Sequence, residues 1–298
     1  MSGAPAILAA TDFSAHARHA ADRAARIAAE SSATLTLLHV VPGSGLEQLR
    51  GWLGVGTSLE GQLLDDARRQ LRELGLRLQT PGAMPIDTVV KEGAVLDTAL
   101  QEADRLDARL IALGARGAGF MRRLVLGTTA ERLMRRSTRP VLAVRQTPHE
   151  HYRRALVAID FSPWSDGALA LARWAAPRAD LVLASVFQVP YEDKLRLAGV
   201  EESRVALYRE QARAETTRRL HALAERTGLR PAQWQACVVE GDPSFRLVEK
   251  EQEFDCDLIA VGKHGTSMAV DLLLGSVTHH VLAEGSADVL ISSARSDR

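Results

Sequence analysis

The chain writes one glycine pattern twice, and this duplication constrains its fold more than any other feature. Gly114-Ala115-Arg116-Gly117 is followed, nine residues on, by Gly127-Thr128; Gly262-Lys263-His264-Gly265 is followed, again nine residues on, by Gly275-Ser276. Corresponding glycines lie 148 positions apart. A fixed offset of this length is the mark of a duplicated unit, and it has to be recognised before elements are assigned. The stretch from Ile7 to Ser14 matches Ala155 to Ser162 at the same offset, so Asp160 stands one period after Asp12, and Glu92-Gly93 matches Glu240-Gly241. Two homologous domains follow, residues 1–147 and 153–298. The boundary falls within Arg145 to Arg153, where Pro148, His149 and His151 break both the helical and the strand period.

Length agrees, since 298 residues suit two domains of roughly 100–200 residues, each large enough to bury its own core. The balance of 37 basic and 37 acidic residues argues against an electrostatic nucleic-acid binder, although Arg122, Arg123, Arg132, Arg135 and Arg136 form a local basic group. No run approaches the ~18 apolar residues of a membrane span. The apolar start, Ile7 to Ala10, runs directly into Asp12 and reads as a strand rather than a signal-peptide core. A cytoplasmic protein is expected. Cys237 and Cys256 offer neither a disulfide framework nor metal-ligand spacing and read as buried thiols.

Short aliphatic runs predict strands at 6–10, 34–41, 86–91, 110–113 and 141–144, and again at 155–159, 181–186, 234–239, 258–261 and 289–291. Segments of helical period separate them. Strands apolar on both faces with helices between them predict an α/β fold, a five-stranded parallel sheet covered on each side, in each half. Ser14 and Ser162 follow the first strands where a side-chain oxygen can cap a helix, with Pro163 in a first-turn position. Ala17, Ala20, Ala24, Ile27 and Ala28 form an apolar stripe, matched by Ala168, Leu169, Ala172 and Ala175. The apolar closing strands, at 141–144 and 289–291, would be exposed at sheet edges and are expected to meet across an internal pseudo-twofold axis. Association of two chains is left open, with a symmetric homodimer the commonest assembly.

Gly114 and Gly262 end apolar strands, and open α/β sheets bind ligands beyond the carboxyl ends of their strands. Glycines at 114 and 117 allow tight turns and a close approach of backbone amides to a ligand. Gly127, Thr128 and Thr129 lead into helical sequence, so their amides and two hydroxyls read as a phosphate nest; Gly275, Ser276 and Val277 repeat it with one hydroxyl fewer. A glycine used only to turn the chain remains the alternative for either copy alone.

Together these residues resemble the nucleotide-binding branch of the universal stress protein family, over almost all of both halves, as a tandem two-domain member. The resemblance implies flavodoxin-like, Rossmann-like domains and an ATP ligand, with Mg2+ held mainly by the phosphates. It implies that Thr11, Asp12 and Val40 face the adenine and ribose, that Gly114, Arg116 and Gly117 lie beside the ribose and phosphates, and that Gly127, Thr128 and Thr129 hold the phosphate chain. Asp160, Val186, Gly262, His264, Gly265, Gly275, Ser276 and Val277 form the matching second set. His264 replaces the arginine of the first copy and Asp271 stands where Arg123 does, so the first half is the better-equipped site.

Three function classes remain. The favoured one is an ATP-binding stress-response or regulatory protein whose nucleotide occupancy changes the surface offered to partners. A slow ATPase or phosphotransferase ranks lower, because no Gly-x4-Gly-Lys-Ser/Thr loop and no evident water-positioning base is present. The third is a scaffold with one ATP site and a second cavity for a different ligand.

Overall fold

In a computed structural model, the structure describes residues 4–43, 58–115, 128–189, 197–265 and 274–293. The first half contains β1 (Ala6–Ala10), α1 (Ala15–Ser31), β2 (Thr34–Pro42), α2 (Ser58–Leu78), β3 (Ile86–Gly93), α3 (Val95–Arg105), β4 (Ala108–Gly114), α4 (Thr128–Arg136) and β5 (Val141–Val144). The second repeats the order with β6 (Arg154–Ala158), α5 (Pro163–Ala175), β7 (Asp180–Phe187), α6 (Glu202–Arg226), β8 (Trp234–Glu240), α7 (Pro243–Glu253), β9 (Leu258–Gly262), α8 (Ser276–Glu284) and β10 (Asp288–Ser292). Every strand expected from the sequence is present, most of them extended by one to three residues where pairing outlasts the apolar run, while β6 starts and ends one residue earlier than expected and leaves Ile159 outside the strand.

The ten strands form one sheet in the order β3-β2-β1-β4-β5-β10-β9-β6-β7-β8. Pairing is parallel within each half and antiparallel where β5 meets β10, with Leu142 opposite Leu290. These two leucines are the same position of the repeat, so the pseudo-twofold axis passes between them. The expected meeting of the closing strands is observed, and it closes two edges that would otherwise present unpaired backbone.

Side-chain alternation sorts the core into two layers. Ile7, Ala9, Leu110 and Ala112 face α1, α2, α5 and α6, while Leu8, Ile111 and Leu113 face α3, α4, α7 and α8. Strands with both faces buried explain the uninterrupted aliphatic runs. On α1, the stripe Ala17, Ala20, Ala24, Ile27 and Ala28 is buried, as is its counterpart on α5. Alanine at these positions lets the helix backbone lie close to the sheet.

The halves are also locked by polar contacts that the repeat does not duplicate residue for residue among the described residues. Asp288, fully buried, accepts from the amides of Arg145 (2.7 Å) and Gln146 (3.0 Å) and from the Tyr152 hydroxyl (2.8 Å), and lies 3.4 Å from Arg23 Nε. Arg23 stacks over the Tyr152 ring at 4.0 Å and donates to the Glu150 carbonyl oxygen at 2.8 Å. Arg145 donates to the carbonyl oxygens of Gly285 and Leu282, at the end of α8. The segment between the halves is irregular, as its composition suggests, but it is not a loose tether. Tyr152, 2% exposed, anchors it in the core.

Candidate functional site

Each half builds its site at the carboxyl ends of its strands by the same local device. After β1, Ser14 caps α1, its Oγ accepting from Ala17 N at 3.3 Å, while Asp12 Oδ1 accepts from Ser14 N at 3.0 Å. After β6, Ser162 Oγ accepts from Ser165 N at 3.3 Å, and Asp160 Oδ1 accepts from Ser162 N at 3.0 Å and from its hydroxyl at 2.5 Å. Between them Phe13 and Phe161 take φ of 62° and 61°, a left-handed conformation unusual for an aromatic residue. Both junctions accept the same backbone strain, and in both it leaves the aspartate exposed where strand passes to helix.

Strand pairing then brings the other expected residues alongside. Thr11 N donates to the Leu38 carbonyl oxygen at 2.9 Å and Ile159 N to that of Ala184 at 2.8 Å, so Val40 and Val186 occupy equivalent places at the ends of β2 and β7. Thr11 Oγ1 accepts from Phe13 N at 3.0 Å, and His39 Nδ1–H donates to the Thr11 carbonyl oxygen at 2.8 Å. Asp12, Val40 and Gly114 thus end three neighbouring strands. Arg116, Gly117 and Gly127 lie outside the described residues, as do Arg122, Arg123 and Asp271; Thr128 begins α4 and Thr129 is exposed on its first turn.

In the second half the equivalent residues surround a cavity of about 320 Å³. Its floor is apolar, formed by Ala158, Ala184, Val186 and Val261 at the strand ends. Asp160 stands on one side, and Gly262, His264 and Gly265 carry the chain past it. Gly275, Ser276, Val277 and Thr278 close the opposite side as the start of α8. Gly275 has no side chain to cap that helix, so its first turn, which lines the cavity, keeps amides without a side-chain cap at the positive end of the helix dipole. Asp160, Val186, Gly262, His264, Gly265, Gly275, Ser276 and Val277, the residues expected at the second site, are therefore gathered around one space.

The glycines of the motif do different jobs. A Cβ on Gly114 would lie 2.8 Å from the carbonyl carbon of His16, and one on Gly262 would lie 2.8 Å from Trp164 Cβ. The reason for glycine at these two positions is the helix packed across the strand end, rather than a ligand. At Gly275 the nearest atom to such a Cβ would be the Lys263 carbonyl oxygen at 3.6 Å, an ordinary contact, and φ is −59°. Among the described residues nothing demands glycine there.

A group of cavity residues on α7 escapes a reading centred on the glycine pattern. Asp242, Ser244 and Leu247, at the start of α7, line the same cavity, and Asp242 caps that helix by accepting from Ser244 N at 2.8 Å. Their signal lies in Glu240-Gly241-Asp242-Pro243, where a glycine with φ of 133° is followed by a capping aspartate and a first-turn proline. The first half has Ala94-Val95 there, and α3 begins without a side-chain cap. His264 is buried against Trp164, ring centroids 4.9 Å apart. Lys263 turns away from the cavity: its ammonium donates to the carbonyl oxygens of Arg135 (2.9 Å) and Ser137 (2.8 Å), at the end of α4 in the other half. Burial pushes the Cys256 thiol up to about 12 and raises that of Cys237, as expected of buried thiols.

Known proteins agree with this architecture. The model of the universal stress protein family matches residues 5–145 and again residues 151–293. Universal stress protein Rv2005c of Mycobacterium tuberculosis is 30% identical over 190 residues, and the match spans 62% of this chain and 62% of that protein. A universal stress protein of Mycolicibacterium smegmatis is 27% identical over 298 residues, covering 97% of each. Among solved structures, a universal stress protein from Archaeoglobus fulgidus superposes with a TM-score of 0.68 at 18% identity, covering 96% of this chain and 97% of that one, a likeness of fold. With two matches that together take in nearly its whole length, this chain belongs to the universal stress protein family.

Proposed function

We propose that this chain is a cytoplasmic adenine-nucleotide-binding regulatory protein, with one nucleotide place in each half and ATP held by the first glycine motif. The observation that carries the reading is the cavity beyond β6, β7 and β9, where an apolar floor, the Asp160 carboxylate and the uncapped start of α8 face one space. Those are the three parts a nucleotide requires: an apolar slot for a base, an acceptor for ribose hydroxyls and amides for phosphate. The first half repeats Asp12, Val40 and Gly114 in the same relation and adds Arg116, Arg122 and Arg123 in its loop sequence. Occupancy of such a site is the natural input of a regulator, because a ligand that binds one conformation better than another shifts the population toward it.

Native mass spectrometry of the purified full chain tests the reading. Copurified or added ATP should raise the mass by at least one nucleotide, and Gly117→Val should remove that increment. A chain that takes up no adenine nucleotide at millimolar concentration would overturn the proposal.

A further inference from the structure

The two glycine motifs differ in charge in a way that bears on what each half accepts. From Gly114 to Thr128 the sequence carries Arg116, Arg122 and Arg123 and no acidic residue. From Gly262 to Ser276 it carries one lysine, Lys263, together with His264 and Asp271. That lysine is committed elsewhere: 6% exposed, it spans the domain boundary to cap the end of α4 through the carbonyl oxygens of Arg135 and Ser137. Among the described residues lining the second cavity there is no lysine or arginine, whereas two acidic side chains, Asp160 and Asp242, border it. The segments after β2 and β7 do not restore the balance, since residues 44–57 and 190–196 each carry equal numbers of acidic and basic side chains.

A triphosphate brings about four negative charges, and an anion of that charge needs cations or a metal to offset its repulsion from carboxylates. The second cavity offers the first-turn amides of α8 and the Ser276 hydroxyl, donors suited to a single phosphate group. Its volume, about 320 Å³, lies at the small end of the roughly 300–1,000 Å³ of ligand pockets. We propose that the second half binds a nucleoside carrying one phosphate and discriminates against the triphosphate, while the first half takes ATP. This rests on the nucleotide reading above. It makes the chain a two-input protein, with the second ligand class set by the loss of a cation to the domain interface.

Isothermal titration of the full chain with adenosine 5′-monophosphate and with ATP, each with and without Mg2+, tests the assignment. In Gly117→Val, which isolates the second cavity, the monophosphate should bind at one per chain and ATP at least about tenfold more weakly. In Gly275→Val, whose Cβ meets nothing closer than 3.6 Å among the described residues at a φ of −59°, the fold is kept, the monophosphate site is lost and ATP binding is retained. Asp242→Asn preserves the helix cap and should move the two affinities toward each other. Equal affinity for ATP and monophosphate in Gly117→Val, no monophosphate binding there, or a monophosphate site that survives Gly275→Val overturns the proposal. Loss of ATP binding from every variant and from the parent chain would instead defeat the nucleotide reading itself.

Discussion

The two glycine loops began as copies, yet the residue one place after each opening glycine has taken a different path. In the first half it is Ala115, whose amide donates to the Val144 carbonyl oxygen at 2.9 Å; in the second it is Lys263, whose amide donates to that of Ser292 at 2.8 Å. The backbone register is the same, but the lysine side chain reaches into the other domain. The same contrast holds at the closing strands, where buried Asp288 gathers Arg23, Tyr152 and two amides while its counterpart in the repeat is Pro140. Duplication kept what the sheet requires. Divergence went into the seam between the halves and into the charge of the cavities.

The largest test of that asymmetry is Asp288→Ala. It would leave the Arg23 guanidinium buried without its carboxylate and three donors without their acceptor, and we expect a loss of about 3–5 kcal/mol in chemical denaturation. Pro140→Ala, at the matching position, should cost less than about 1 kcal/mol. Similar losses at both positions would show the seam to be symmetric in energy despite its sequence.

Next in size are the glycines. Gly262→Ala forces a Cβ to 2.8 Å from Trp164 and should cost about 1–3 kcal/mol, as should Gly114→Ala against the backbone of His16. Gly275→Ala should leave the melting temperature within a degree or two of the parent, which corresponds to roughly 0.5 kcal/mol or less. A Gly275→Ala variant as unstable as Gly262→Ala would remove the distinction between glycines kept for packing and glycines kept at the cavity.

The smallest effect is confined to alkaline pH. Burial, and then the neighbouring Asp288 carboxylate, raises the Tyr152 phenol well above 10.0. Its folded pKa therefore exceeds the unfolded one, so its contribution to stability is complete below about pH 10 and is lost as pH rises through the folded value. Urea unfolding at a series of pH values from 8 to 11 should give the parent a steeper decline than Tyr152→Phe. Parallel declines would mean that this phenol does not stay protonated in the folded chain.

Much of this was legible in the sequence because it is local or periodic. The strands, the caps at Ser14 and Ser162 and the alanine stripe on α1 follow from spacing alone, and the pairing of β5 with β10 follows from two apolar runs that lacked a partner. The destination of Lys263 was not legible, because its acceptors lie 128 and 126 residues away and a lysine inside a phosphate-loop pattern points first to phosphate. Tyr152 was hidden for a related reason: flanked by His151 and Arg153 it shares the polar look of its segment, and only its long-range contact with Asp288 makes it core. Asp242 carried a readable cap signature, but its position at the cavity depends on the register of β8 against β7.

The antiparallel meeting of Leu142 and Leu290 has a consequence for how the protein is made. The five strands of the first half are complete once the ribosome has passed Val144, but the partner of β5 is synthesised 148 positions later. At roughly 5–20 residues per second this leaves an apolar strand edge open for about 7–30 s on every nascent chain. During that interval the edge is open to the same edge of a neighbouring nascent copy, and it is the pairing of β10 with β5 that closes it in cis.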